Sequence, residues 1–280
     1  MHALVTRITQ VKFSDAVVFF KDDFLKKYDL EDYADKSQPS LFYGCYTDED
    51  VEALRKHEGP KVMLWRGSDA MDKRRLLAVK RIDLCYHVAN SIFTSKDLAR
   101  RGIPHVQLPV TPVDYSTLGF VPCKKGNAIY VYTSLGRPAF YGEKVCDKLR
   151  AEFRDIEFII CHANSHSREA LLKIYERCFL GLRLVKHDGL PNTVIELSLM
   201  GRRTVHNGEL PGSLPYAKLK DIRAHITRER ETIGTIDAGL HAATLEYLQL
   251  PSDWLDLGFY ETRCRVPERS LFRRWRSLRD

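Results

Sequence analysis

Residues 186–205 have the sequence KHDGLPNTVIELSLMGRRTV, in which a glycine-containing loop leads into a short helix. The apolar residues 179–185 before it predict a buried strand. Asn192 or Thr193 is of a type that caps a helix N-terminus, and Gly201 is of the type that ends a helix. A strand, a loop and a helix in this order are typical of α/β proteins, so this stretch indicates the fold class.

The loop of Gly189, Leu190, Pro191 and Asn192 lies where the chain enters this helix. The N–H groups and the positive dipole end of a helix N-terminus attract a diphosphate. Each such charge interaction contributes roughly 0.3–1 kcal/mol when exposed and up to ~2 kcal/mol when partly buried. Glu196 lies one turn inside the helix, where it can reach a ribose. The segment therefore predicts a site for a phosphorylated donor.

The spacing Asp188-x7-Glu196, with Gly-Leu-Pro after the first acid, resembles the E-x7-E region of family 4 glycosyltransferases, which have the GT-B fold. The resemblance implies that Glu196 binds the ribose of a nucleotide sugar and that Asp188 lies against the donor sugar as the catalytic residue. It also implies donor contacts from residues 189–193, Thr193 included, and retention of anomeric configuration. Asp188 is one methylene shorter than the family's Glu. This displaces its carboxylate by about an ångström, which can lower a rate ~10²-fold.

Two further stretches are similar to the same family. Residues 87–103 and 108–114 resemble the last strand and helix of its N-terminal domain and the linker that follows. Residues 128–144 resemble the strand-to-helix turn that opens its C-terminal domain. The family places an arginine and a lysine on the diphosphate there, and the resemblance implies this role for Arg137 and Lys144.

Strands and helices alternate on both sides of a proline-rich linker at residues 108–122. Residues 41–87 predict strand, helix, strand, helix, strand, and residues 129–205 predict a second series of four strands and three helices. Such alternation indicates parallel sheets with right-handed crossovers, whose ligands bind at the carboxyl ends of the strands.

We therefore expect an α/β protein of the GT-B class, with two Rossmann-like domains that face a cleft. Residues 1–112 are predicted to form the acceptor-side domain and residues 113–250 the domain that binds the nucleotide sugar. Residues 251–280 are predicted to be a basic segment that crosses back to the first domain. Residues 1–39 offer neither the first strand nor the glycine-rich loop usual in the family. The first domain is therefore expected to be shortened.

Composition favours a cytoplasmic protein. No apolar run approaches the ~20 residues of a membrane-spanning helix, and charges interrupt residues 1–21, which argues against a signal peptide. The seven cysteines include no C-x-x-C pair, which argues for reduced thiols and against a zinc cluster.

The net charge of +7 is concentrated in the last residues, since seven arginines lie between Arg263 and Asp280. Residues 269–279 predict a basic amphipathic helix. Its apolar face would pack on the first domain, or the helix would contact an anionic membrane surface peripherally. Contact with nucleic acid is the third alternative, disfavoured by the near-neutral remainder of the chain.

Three weaker patterns have structural alternatives. Gly67 and Asp69 follow a predicted strand and could contact a ligand in the cleft, although Ser68 or Asp69 could instead cap the next helix. His162 could touch a diphosphate, but its spacing to His166 lacks the acidic motif of a metal site, so no metal is expected. Residues 48–50 form a D-x-D, which we interpret as a helix start capped by Thr47.

The sequence thus predicts a glycosyltransferase that moves a sugar from a nucleoside-diphosphate sugar, its donor substrate, to an unknown acceptor, with no tightly bound cofactor. The acceptor would be a glycan, a lipid or a protein, and a nucleic acid is a less favoured acceptor because most of the chain is nearly neutral. A nucleotide-sugar epimerase of the same fold is one alternative, since histidine and glutamate side chains are available for proton transfer. A non-catalytic scaffold that binds a surface through its basic tail is another.

Overall fold

The computed structural model describes residues 6–162 and 165–264. The chain divides into two compact units. The first contains the residues up to Val113 and those from Leu250 on, and the second is Asp114–Gln249. The basic helix predicted for residues 269–279 lies outside the described residues.

The first unit is built on a six-stranded parallel sheet, in the order β2-β1-β3-β4-β5-β6. Its strands are β1 Gln10–Phe13, β2 Glu31–Asp32, β3 Ser40–Tyr43, β4 Lys61–Trp65, β5 Cys85–Ala89 and β6 Val106–Gln107. Its first four helices are α1 Lys21–Tyr28, α2 Asp48–Lys56, α3 Lys73–Val79 and α4 Ile92–Arg100. The alternation predicted for residues 41–87 is confirmed. So is the cap of α2, where Thr47 and Asp50 form a capping box.

The expectation that residues 1–39 contain no strand is wrong, because β1 lies in this range, between β2 and β3. Its polar first residue, Gln10, is buried. The Gln10 amide donates to Ser40 Oγ at 2.8 Å and accepts the backbone N–H groups of Ala34 and Asp35. These bonds offset the cost of burying the amide, so a strand forms without an apolar pattern that would predict it.

The second unit is built on a five-stranded parallel sheet, in the order β11-β10-β9-β7-β8. Its strands are β7 Ala128–Thr133, β8 Phe158–His162, β9 Cys178–Leu182, β10 Arg203–Val205 and β11 Ser213–Leu214. Its helices are α5 Glu143–Glu152, α6 Arg168–Glu176, α7 Asn192–Leu199, α8 Leu219–Arg230 and α9 Ala238–Tyr247. The series predicted for residues 129–205 is confirmed.

Helix α7 packs closely on its own sheet, because Gly181 of β9 lies beneath it. A Cβ at Gly181 would lie 2.5 Å from Leu197 Cδ1 and 2.8 Å from Thr204 Oγ1. After the helix, Gly201 has a φ of +85°, which confirms the predicted stop at this glycine. The absence of a side chain at Gly181 and the stop at Gly201 together fix the place of α7.

The guanidinium of Arg202 is fully buried and is held entirely by backbone carbonyl oxygens. The acceptors are the carbonyls of Cys123, Lys124, Glu176, Cys178 and Met200. These residues belong to the segment before β7, the end of α6, the start of β9 and the end of α7. One side chain therefore joins four parts of the second unit.

The segment from Leu250 on completes the core of the first unit. It carries the last helix, α10 Leu257–Arg263. Leu257 and Tyr260 are buried in the same hydrophobic cluster as Ile8 and Val11. The backbone pairs as well, since the N–H of Ile8 donates to the carbonyl of Leu255 at 2.8 Å.

Within the described residues, no helix combines the length and the apolar character needed to cross a bilayer.

Replacing Arg202 tests how strongly the second unit depends on this side chain. We expect Arg202→Met to lower the free energy of unfolding by about 2–5 kcal/mol, because buried carbonyl oxygens lose their donor. Arg154→Met, at an exposed arginine, is the control, and we expect a change within about 0.5 kcal/mol. Urea denaturation measures both, and equal changes in the two variants would contradict the expectation.

Candidate functional site

A polar cluster lies at the carboxyl ends of strands in the second unit. Arg183 directly follows β9, Asp188 lies in the loop between β9 and α7, and His206 directly follows β10. Tyr132 lies near the end of β7, and Tyr141 lies in the loop before α5. We call these five residues the Arg183 cluster. Ligands of parallel α/β sheets bind at this edge.

The centre of the cluster is an ion pair between Arg183 and Asp188. Arg183 donates from Nε to Asp188 Oδ2 and from Nη2 to Oδ1, the latter at 3.0 Å. The two side chains are only 10% and 13% exposed. Asp188 Oδ1 also accepts the backbone N–H of Gly189 at 3.0 Å, and His206 Nε2 lies 3.4 Å from Oδ2. The loop before α7 is therefore closed onto the strand by a buried, bidentate pair.

Two tyrosine rings, whose centroids are 5.2 Å apart in an edge-on arrangement, pack against one side of the Arg183 guanidinium. Its Cζ lies 4.3 Å from the ring centroid of Tyr132 and 5.6 Å from that of Tyr141. Gly142, with a φ of +72°, allows this approach, because a Cβ there would lie 2.9 Å from Leu184 Cβ. Cation–π contact with these two rings restricts the orientation of the guanidinium.

The ion pair controls the charge of Asp188. Burial by itself would raise the pKa of this carboxyl group. The positive charge of Arg183 and the hydrogen bonds from His206 and Arg183 outweigh burial, and they hold the pKa well below its ordinary value of 3.8. Asp188 is therefore an anion at neutral pH.

The N-terminus of α7 lies beside this pair, since Arg183 Nη1 donates to Thr193 Oγ1 at 3.4 Å. The prediction that Asn192 or Thr193 caps the helix is wrong. The N-cap residue is Pro191, whose ring offers no acceptor. Within the described chain, the backbone N–H groups of Asn192 and Thr193 have no acceptor. These N–H groups are left available to a ligand.

Glu196 lies one turn further along α7 and is 8% exposed. The hydroxyl of Tyr175 donates to Glu196 Oε2 at 2.7 Å, and the Tyr175 ring packs edge-on against Tyr130. Burial raises the pKa of Glu196, while the Tyr175 hydroxyl acts in the opposite direction. Oε1 accepts no hydrogen bond from the described residues, so one oxygen of an oriented carboxyl group can bind a ligand.

The remaining candidates of the second unit lie outside the cluster. Arg137 is exposed and packs on Phe140, with its Cζ 5.5 Å from the ring centroid. Lys144 is exposed in the first turn of α5. Leu190 is buried, and its side chain is 7% exposed. His162 ends β8, and its Nδ1 is buried without a partner among the described residues.

In the first unit, Asp69 is 1% exposed and is bonded to the protein's own backbone. It accepts the N–H groups of Cys45, Arg66, Gly67 and Ala70. Burial raises the pKa of Asp69, and these bonds oppose the shift. The carboxyl group thus ties the loop after β3 to the loop after β4.

The alternative role of Ser68 or Asp69 as a helix cap is wrong. Asp72 caps α3, where its side chain accepts the N–H of Arg75. Gly67 has a φ of +147°, a conformation that glycine adopts far more readily than other residues. This glycine allows the loop to turn back so that Asp69 reaches its four donors.

Several residues of the site were not expected from the sequence: Tyr132, Tyr141, Tyr175, Arg183 and His206. One signal was present for Arg183, which interrupts the apolar segment 179–185 with a charge. A buried charge requires a partner, and Asp188 follows five residues later. The tyrosines and His206 come from distant parts of the chain and carry no comparable local signal. Within residues 6–162 and 165–264, no group of three or more His, Cys, Asp or Glu side chains could hold a metal ion.

Comparison with known proteins gives a match in fold only. Neither the models of protein families nor the curated proteins match this chain. Among solved structures, TarM shares 10% identity with a TM-score of 0.52, over 81% of this chain and 54% of TarM. Sucrose-phosphate synthase from Thermosynechococcus elongatus shares 11% identity with a TM-score of 0.49, over 93% and 78% of the two chains. A mutant of S. aureus TarM in complex with fondaparinux, α-GlcNAc-glycerol and UDP shares 10% identity with a TM-score of 0.46, over 86% and 56%.

The likeness to TarM, a GT-B glycosyltransferase, shows the fold class. The chain consists of two parallel-sheet α/β units of the GT-B class, as predicted. It spans about half the length of TarM. Membership of family 4 stays a prediction.

The low pKa of Asp188 predicts a pH-dependent stability. A carboxyl group whose pKa is lowered by folding stabilises the protein above its ordinary pKa of 3.8, and this contribution is lost as the pH falls below that value. We expect Asp188→Asn to lower the free energy of unfolding by about 3 kcal/mol at neutral pH, and by roughly half as much near pH 2.5, where the contribution of the charge is only partly lost. Denaturation with urea at both pH values measures the difference.

The matched control is Asp155→Asn, which removes an exposed ion pair with Arg230. Solvent screens this pair, so we expect a much smaller change at neutral pH. An effect of Asp188→Asn that is the same at both pH values would contradict the role of its charge.

Proposed function

We propose that the protein is a glycosyltransferase that takes a sugar from a nucleoside-diphosphate sugar. One observation carries this proposal. Helix α7 presents an N-terminus with available N–H groups and, one turn later, the buried carboxyl group of Glu196. Both lie at the ligand-binding edge of a sheet in a GT-B fold, where a diphosphate and a ribose can be bound together.

The spacing along α7 suits a nucleotide. Asn192 and Glu196 are four residues apart, a rise of about 6 Å along a helix. A ribose and the phosphate attached to it span a comparable distance. In this proposal the N–H groups of Asn192 and Thr193 bind the diphosphate, and Glu196 Oε1 accepts a ribose hydroxyl. The Tyr175 hydroxyl fixes the orientation of the Glu196 carboxyl group for that contact.

The proposed reaction breaks the bond between the sugar C1 and the diphosphate oxygen and joins C1 to the oxygen of an acceptor hydroxyl, whose proton passes to the departing diphosphate. Negative charge develops on the departing diphosphate. The N-terminus of α7 is already oriented toward that charge, which lowers the barrier without further rearrangement. Retention of configuration and a hexose donor are supported by the resemblance of the Asp188-x7-Glu196 spacing. The proposed acceptor is a hydroxyl of a glycan, a lipid or a protein.

A non-catalytic nucleotide-binding scaffold is the second candidate, and one observation favours it. Asp188 is bonded to Arg183 and to the backbone of Gly189, whereas a catalytic carboxylate has to interact with the substrate. The two candidates share the nucleotide site and differ only in sugar transfer. Release of nucleoside diphosphate from a nucleotide sugar, measured with and without acceptors, distinguishes them.

Glu196 provides the test of the nucleotide site. We expect the wild type to bind one of UDP, GDP and ADP selectively in calorimetry. Glu196→Gln keeps the shape and removes the charge. A hydrogen bond to a charged group contributes roughly 1.5–3 kcal/mol, so binding should weaken by about ten- to a hundredfold. Tyr175→Phe removes only the orienting bond and should weaken binding by about two- to tenfold.

Glu176→Gln is the control, since Glu176 is exposed at the end of α6 and its substitution should leave the affinity unchanged. A folded wild type that binds none of the three nucleotides would refute the proposed function. Equal affinities of the wild type and Glu196→Gln would refute the role of Glu196.

A further inference from the structure

Groups of the protein surround the carboxylate of Asp188, and they donate at least three hydrogen bonds to it. A carboxylate offers about four lone-pair positions. Oδ1 accepts Arg183 Nη2 and the backbone N–H of Gly189, and Oδ2 accepts Arg183 Nε. His206 Nε2 lies 3.4 Å from Oδ2 and covers the remaining side of the carboxylate. A sugar hydroxyl could bond to Asp188 only by displacing one of these groups.

The hydrogen bonds of His206 show why its Nε2 faces the carboxylate. The backbone N–H of Gly208 donates to His206 Nδ1 at 3.0 Å, so Nδ1 is the acceptor nitrogen of the ring. The ring hydrogen is therefore on Nε2, which faces Asp188 as a donor. His206 is thus one of the protein groups, with Arg183 and Gly189, that surround the Asp188 carboxylate.

Arg183 is in the opposite situation. Three of its five N–H groups have acceptors, namely the two oxygens of Asp188 and the hydroxyl of Thr193. Within the described residues, one N–H on Nη1 and one on Nη2 have no acceptor, although the residue is only 8% exposed. A buried guanidinium with unused donors is a binding group for an anion.

The position of Arg183 strengthens this interpretation. Its Nη1 touches Thr193 in the first turn of α7, where the helix dipole is positive. Two positive groups side by side repel each other, so the arrangement requires negative charge nearby. Asp188 supplies one negative charge. A diphosphate would supply further negative charge at the Arg183 N–H groups that Asp188 does not contact.

We infer that Arg183 is a ligand-binding cation that contacts the diphosphate, and that Asp188 is a positioning residue that holds Arg183 in place and contacts no substrate. This inference rests on the proposed function and changes one role within it, because the resemblance to family 4 places the first acid against the donor sugar. Arg183 is oriented by Asp188 and by the rings of Tyr132 and Tyr141. Arg137 and Lys144, both exposed, are the less constrained cations of the unit.

The test separates the two residues of the pair by substitution. Arg183→Gln alone leaves Asp188 buried without its partner and risks unfolding. The double variant Arg183→Gln/Asp188→Asn removes both charges and keeps two side chains of similar shape that can bond to each other. The second variant is Asp188→Asn alone, and the control is Arg154→Gln, at an exposed arginine between α5 and β8. Circular dichroism and thermal melting establish that each variant is folded.

Calorimetry gives the dissociation constants of inorganic pyrophosphate, of the preferred nucleoside diphosphate, and of the matching monophosphate and nucleotide sugar. In the double variant we expect the affinity for pyrophosphate and for the diphosphate to fall about tenfold or more, with a smaller loss for the monophosphate. In Asp188→Asn we expect the affinity for the diphosphate to be kept or increased. The ratio of the affinities for nucleotide sugar and diphosphate should not change in this variant.

A double variant that keeps the preference for diphosphate over monophosphate would overturn the inference. The inference would also be overturned if Asp188→Asn weakened binding of the nucleotide sugar but not of the diphosphate, because that result would show contact between Asp188 and the sugar. If no nucleotide binds but pyrophosphate does, and the double variant loses pyrophosphate, then the proposed function fails while Arg183 keeps its role. If the folded wild type binds neither nucleotide nor pyrophosphate, both fail.

Discussion

The second unit is organised by the need to surround two buried arginine charges with acceptors. Moving a guanidinium out of water is so unfavourable that the chain around it has to supply oxygen atoms in its place. Around Arg202 these are backbone carbonyls of four segments, and around Arg183 they are Asp188 and Thr193. Much of the loop geometry in this unit follows from these two requirements.

Both arginines act on the same helix from opposite ends. Arg202 bonds to the carbonyl of Met200 directly after α7, and Arg183 bonds to Thr193 in its first turn. Gly181 brings the sheet against the side of the helix between them. The position of Glu196 is therefore fixed before any ligand arrives. A binding group that is held in place loses little conformational freedom on binding, which favours both affinity and specificity.

The sequence predicted those features that depend on neighbouring residues. The alternation of strands and helices follows from apolar periodicity, and the capping box of α2 involves only Thr47 and Asp50, three residues apart. Strand β1 was missed because the partners of Gln10 lie 24 to 30 residues away. The cap of α7 was misassigned because Asn192 has the right chemistry and sits one position too late, after Pro191.

The candidate site was predictable to the same extent. The acids and the glycine loop were recognised by spacing, and their roles in binding and catalysis stay predictions. The hydrogen bond between Tyr175 and Glu196 joins residues 21 apart in sequence, and His206 reaches Asp188 from a different strand. Arg183 carried a local signal, but a charge within an apolar run does not reveal which neighbour it meets. Such contacts depend on the order of strands in the sheet, which spacing alone does not specify.

The first unit is formed by two separate parts of the chain, and this determines the order in which the two units can fold during synthesis. The second unit, Asp114–Gln249, is continuous, so all of its residues are synthesised before Leu250 is added. The first unit has to wait, because Leu257 and Tyr260 belong to the same core as Ile8. The part of the protein that is translated first is therefore the last to complete its core. A chain that ends before Leu250 would lack part of the core of the first unit and would expose apolar surface of the kind that chaperones bind.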